Sequence, residues 1–217
     1  MNPVNYSAAR STESVLATNK LIKNTYMLLS LTLLFSALTA GMSMVFNLPH
    51  PGMIITLVGY FGLLWATNKF ANSGWGLLFV FLLTGFMGLT LGPIISAYIQ
   101  AFSNGGELVM MAMGGTGVIF LGLSGYALTS RKDFSFMGGF LMVGILVAFL
   151  AGIGAAIFSI PALSLAVSAM FVLLMSGLIL YQTSQIVHGY ETNYILATVT
   201  LYVSIYNLFL SLLQLLG

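Results

Sequence analysis

The sequence predicts an all-α polytopic integral membrane protein of about seven transmembrane helices, with its amino terminus in the cytoplasm and its carboxy terminus in the periplasm. Three observations predict it. Asp, Glu, Lys and Arg supply only 5% of the 217 residues while hydrophobic residues supply 59%, and mean hydropathy is +1.04. The charges (Arg10, Glu13, Lys20, Lys23, Lys69, Glu107, Arg131, Lys132, Asp133 and Glu191) sit in a few short segments between long uncharged runs. When those runs are threaded back and forth across a bilayer, every Lys and Arg falls on one side. A soluble domain carries far more charge to stay dispersed.

Each span follows from an apolar run of roughly 20 residues and a polar break. Residues 1–22 are polar and rich in Ser, Thr and Asn, and read as a flexible or weakly helical cytoplasmic tail. Residues 23–217 then form a single seven-helix transmembrane domain. Lys20 and Lys23 precede the run Tyr26–Phe46, which is too long for a signal-peptide core and lacks a small-residue cleavage site, so it reads as a retained first span. The break Asn47–Gly52 leads to a second span over about Met53–Thr67, and Lys69 between Trp65 and Trp75 marks an interface. The third span covers Trp75–Ala101. Glu107 favours the amino-terminal end of the fourth, about Leu108–Leu128. The break Thr129–Asp133 is the most charged in the chain, and the fifth span covers about Phe136–Phe158. Pro161 opens or precedes the sixth, about Leu163–Val187, and the loop His188–Asn193 leads to the seventh, about Tyr194–Leu216.

Small residues let helices approach closely in lipid. Thr84, Gly88, Gly92 and Ser96 form such a stripe in the third span, where Gly85, Gly88, Gly92 and Pro93 make the packing signature. Gly144, Ala148, Gly152 and Ala156 form another in the fifth. Both helices are predicted to be central, with a kink of the third at Pro93. The fourth span is rich in Gly, which suits either flexibility or close packing.

Catalytic chemistry has little to work with. Asp133 is the sole aspartate, so a paired-aspartate intramembrane protease is excluded. His50 and His188 fall in loops on opposite sides, no His-Glu-x-x-His motif occurs, and no Ser has a His base within the membrane. Cysteine is absent, which removes disulfides, thiol catalysis and Cys metal sites. No enzyme activity, cofactor, metal or nucleic-acid partner is expected. Intramembrane polar residues are more informative, because each is costly in lipid. Thr200, Ser204, Asn207, Ser211 and Gln214 lie on one face of the seventh span, with Gln182 and Gln185 near the end of the sixth. Such a stripe either lines a narrow water or ion route or bonds helices together. A solute transporter fits less well, for the chain shows no internal repeat and no intramembrane charge to couple ions.

Four segments then become recognisable: GFMGLTLGPIISAY, TSRKDFSFMGGFL (Thr129–Leu141), LYQTSQIVHG (Leu180–Gly189) and ATVTLYVSIYNLFLSLLQLLG (Ala197–Gly217). Together they resemble the transmembrane Bax inhibitor motif family over nearly all of the chain after Asn19. The likeness is greatest to a proteobacterial branch that modulates the FtsH-type membrane AAA protease, carried by NKLIKNTYMLLSLTLLFSALTA, HPGMIITLVG and HGYETNYILATVTLYVSIYN. The resemblance implies seven helices and a cytosolic amino terminus. It implies an inner-membrane regulator that binds and restrains such a protease, with or without the protease's regulatory complex, as a poorly degraded substrate gripped by its tail. Arg131, Lys132 and Asp133 are the candidate cytoplasmic contacts with a partner or with anionic lipid headgroups of the bilayer. Other family members are calcium leaks in which acids of the sixth and seventh helices share a proton. By motif those positions are Gln182 and Ser204, with Asn207 nearby as a further candidate pore residue, and neither Gln nor Ser ionises.

Overall fold

A backbone in hydrocarbon must satisfy its own hydrogen bonds, and an apolar run does so as a helix. A computed structural model of the chain describes the backbone of residues 3–217 and the side chains of residues 16–217. The helices are α1 (Pro3–Val45), α2 (Met53–Phe70), α3 (Trp75–Ala101), α4 (Gly105–Ser130), α5 (Gly138–Ile157), α6 (Pro161–Val187) and α7 (Tyr194–Leu216). A short 3-10 turn, Ser135–Met137, leads into α5. Among the described residues seven helices are long and apolar enough to cross a membrane, the first over Leu16–Val45. The tail expected over residues 1–22 falls mostly outside the described side chains; from Pro3 its backbone continues into α1.

The turns show which helix ends lie together. Asn193, before α7, donates to the Ala71 carbonyl and to Asn72 between α2 and α3. Tyr190, after α6, reaches Asp133, after α4. These three turns therefore share one end of the bundle. That end carries Lys69, Arg131 and Lys132, while Glu107 opens α4 at the other.

Helix α7 is the axis of the fold. It packs against α1, α3, α4 and α6, and 56% of its most apolar window is buried. Its inward face carries Leu201, Tyr202 and Leu208, which cluster with Leu29, Val80, Leu83 and Ile179 of the neighbouring helices, and Leu213, which clusters with Ile95 and Leu108. Asn193 starts it: its side-chain oxygen accepts from the backbone N–H of Ile195 and Leu196, while its amide holds the α2–α3 turn.

The expected centrality of α3 holds, with half of its window buried. That of α5 does not. Only 17% of its window is buried, and α6 is its main helical neighbour. Its stripe is real, since a Cβ at Gly144 would come within 2.6 Å of Leu174, but it serves one interface only. The other face of α5, with Phe140, Val143, Leu146 and Leu150, is exposed and apolar, as a lipid-facing surface is.

The closest helix crossing is α1 on α3. A Cβ at Gly85 would stand 2.7 Å from the Phe35 ring, and one at Gly92 would stand 2.7 Å from the Ala40 carbonyl oxygen. At Gly88 a Cβ would collide with Thr39 Oγ1 and the Ser36 carbonyl. Pro93 follows at once. A proline has no N–H to offer the carbonyl four residues back, here Leu89. Ser43 Oγ of α1 donates to that carbonyl at 2.9 Å instead, and Ser43 is buried.

Candidate functional site

Two groups of polar side chains stand out. The first lies inside the bundle and begins with the α7 stripe. Thr198, Thr200, Ser204 and Asn207 each donate back to the carbonyl four residues earlier, at 2.7, 3.1, 2.7 and 2.8 Å. Ser204 is fully buried, and Thr198 also reaches the Thr25 carbonyl of α1 at 3.2 Å. Further along, Tyr202 OH donates to the Thr84 carbonyl at 3.3 Å, so its 2.6 Å partner Ser36 must supply the proton between them. Tyr206 pairs with Thr90 at 3.2 Å, and Gln214 joins Ser164 and Ser168 at the far end of α6. Most of the stripe thus stitches α7 to itself and to its neighbours.

Gln182 is different. It is buried and its Nε2 has no hydrogen-bond partner, and the same is true of Thr25 Oγ1. Thr183 beside it bonds Tyr26 OH of α1 at 3.2 Å and Ser124 Oγ of α4 at 3.4 Å. A small neutral polar patch therefore sits among α1, α4 and α6. Among the described residues no hydrogen bond connects Gln182 to Ser204 or Asn207. Nor, among the described residues, does any group of three His, Asp or Glu come together as a metal site would.

The second group is at the basic end. Ser184, in the last turn of α6, donates to the Lys132 carbonyl at 3.1 Å and accepts from the Phe134 N–H at 3.0 Å. His188 Nδ1 lies 2.9 Å from the Ser184 carbonyl and 3.4 Å from its hydroxyl. The His188 ring stacks on Tyr190 with centroids 5.9 Å apart. Tyr190 OH donates to Asp133 Oδ2 at 3.1 Å, while Asp133 Oδ1 accepts from the Ser135 N–H at 2.8 Å. The α4–α5 turn is thereby clasped to the α6–α7 turn. The spacing of Ser184 and His188 by four on one helix could have revealed this pair; its link to Asp133 spans too much sequence to be read. The Ser184 hydroxyl is fully engaged by the backbone of the neighbouring turn, which is a structural use rather than that of a nucleophile.

Asp133, then, is held in a clasp although it is as exposed as Arg131 and Lys132 beside it. Arg131 closes α4 in the left-handed region, at φ 49°. A cavity of about 420 Å³ lies between it, His188, Thr18 and Asn19 at the root of α1. The Ser135 backbone and side chain, then Tyr190 and His188, hold the Asp133 carboxyl below its usual range, and the bond to Asp133 raises the Tyr190 hydroxyl. A lowered carboxylate stabilises the clasp above its unfolded pKa, and the effect is lost as pH falls through the folded one. Asp133→Asn should accordingly reproduce at neutral pH the faster amide exchange of residues 133–137 that the parent shows only in acid; equal exchange in both proteins at neutral pH would show that the carboxylate does not hold the turn.

The family model described as "Inhibitor of apoptosis-promoting Bax1" matches residues 18–217. The chain belongs to the Bax inhibitor family. It is 52% identical over 211 residues, 97% of its length and 95% of the other's, to a protein of Escherichia coli K12 named "Modulator of FtsH protease YccA". The same identity and coverage hold for one of another E. coli strain named "Inner membrane protein YccA". An "Uncharacterized membrane protein" of Vibrio cholerae is 43% identical over 218 residues, covering the whole chain and 97% of that protein. Within the Bax inhibitor family this chain is a multi-pass inner-membrane protein.

Proposed function

We propose that the protein binds and restrains a membrane-anchored AAA protease of the FtsH type, acting as a substrate that is engaged and then degraded only slowly. The observation that carries this is the 52% identity, over 97% of the chain, to the E. coli modulator of that protease. Two physical features support it. The collection of Lys69, Arg131 and Lys132 at one end of the bundle fits a cytoplasmic placement of that end, which puts the amino-terminal segment on the side where such a protease works. A body whose first helix is locked on α3 and α7 resists being drawn out. In this reading the protease grips residues 1–19, and the exposed Arg131 and Lys132 with the clasped Asp133 form the contact surface. The role is non-enzymatic.

The experiment removes residues 1–19 and measures decay of a known membrane substrate by the reconstituted protease. Restraint should vanish while the truncated protein keeps its helical content and monodispersity. Undiminished restraint by the truncated protein would overturn the grip.

A second reading, a cation leak, draws on the two orphaned polar atoms, Gln182 Nε2 and Thr25 Oγ1. It places calcium passage beside Gln182, Ser204 and Asn207. Gln182→Asp with Ser204→Asp should then confer pH-dependent calcium flux on liposomes, and an absence of flux in parent and variant alike excludes the leak.

A further inference from the structure

Between α1 and α4 the bundle is open. A crevice of about 570 Å³ runs there, walled by Ala37, Ala40 and Gly41 of α1 and by Met113 and Gly117 of α4, with Tyr202 on its floor. It lies in the half of the bundle away from the basic end, because it involves α1 from Leu33 to Met44 and the early part of α4. Tyr26 and Phe120, with ring centroids 6.2 Å apart, bring the two helices together at its inner end. We propose that this crevice is a binding site for one acyl chain of a phospholipid.

Three observations choose that occupant. The floor offers nothing to a polar ligand: the Tyr202 hydroxyl is used by Ser36 and the Thr84 carbonyl, Tyr206 pairs with Thr90, and Thr116 bonds its own helix at 2.7 Å. The space is a slot of about 570 Å³ between two helices, which suits a slender chain rather than a whole helix about 10–12 Å wide. And the walls withhold side chains where the crevice is open, for a Cβ at Gly41 or Gly117 would meet no atom within 4 Å. An empty groove would forfeit dispersion contacts along its whole lining. Within the hydrocarbon layer a flexible chain thin enough to fill it is a lipid tail. The tail packs against α1 and α4 over a base formed by α3 and α7, from which Ile95 and Tyr206 also line the crevice.

The test uses the full chain in nanodiscs containing a phospholipid with a photoactivatable diazirine midway along one acyl chain. Crosslinks should concentrate on the crevice, near Met113 and Phe120, over the lipid-facing side of α5. Gly41→Leu and Gly117→Leu, separately and together, should cut crevice labelling at least fivefold, and Gly139→Leu, at another open position on α5, should leave it unchanged. Thermal unfolding of each variant checks that the bundle is intact. Uniform labelling of crevice and outer surface, or labelling that survives both leucines, overturns the site. Crosslinks between two protein chains through the crevice would overturn it in favour of a second copy.

Discussion

Gly88→Leu should yield no stably folded protein. Its Cβ alone would already overlap the Ser36 carbonyl and Thr39 Oγ1, and a backbone carbonyl cannot rotate away as a side chain can. Adding even one methylene to a close-packed site typically costs about 1–3 kcal/mol, so Gly88→Ala should lose about that much, and leucine should drive α1 off α3 altogether. Gly62→Leu provides the control, because a Cβ there meets no atom within 4 Å, and a surface change of this sort moves stability by about 0.5 kcal/mol or less. Unfolding in detergent, followed by helical circular dichroism, measures all three. If Gly88→Leu unfolds with the parent, the close crossing of α1 and α3 is not what secures the bundle.

The second large effect concerns the protease. If restraint depends on slow extraction, loosening the α1–α3 crossing should turn the protein into an ordinary substrate. Gly92→Ala brings a Cβ within 2.8 Å of Ser43 Oγ and against the Ala40 carbonyl. A loss of 1–2 kcal/mol corresponds to a factor of about 5–30 in the unfolded fraction, so the half-life of this variant in the presence of the protease should shorten several-fold and restraint should weaken in step. Removal of residues 1–19 should also end restraint, but by lengthening the half-life. Pulse-chase with and without active protease separates the two. A Gly92→Ala protein that is destabilised yet degraded no faster would break the link between body stability and restraint.

The bounds of the spans were legible because charge and hydropathy set them directly: Trp75–Ala101 and Tyr194–Leu216 are the same in sequence and structure. The rank of the helices was less so. A stripe of small residues reports that something comes close, and at Gly144 that something is Leu174; it does not report how many neighbours the helix has, and so α5 looked as central as α3. The axial position of α7 was encoded differently, in hydroxyls that pair with α1 and α3 through Tyr202 and Tyr206. Gln182 and Ser204 stood out as polar residues within apolar spans and by motif, and only the fold shows that the Gln182 amide nitrogen is left without a partner while Ser204 closes on its own helix. The clasp of Asp133, Ser184, His188 and Tyr190 was illegible, because nothing local fixes a distance between residues about fifty positions apart.

The bond from Ser43 to the Leu89 carbonyl also bears on the order of assembly. A helix with an internal proline enters the bilayer carrying one acceptor that its own backbone cannot serve, and the remedy lies on a segment made earlier. As synthesis proceeds from the amino end, α1 is already present when α3 arrives, so the donor waits for the acceptor. Pro93 thereby favours one seat for α3: beside α1 its freed carbonyl is met by Ser43, and elsewhere it needs another donor.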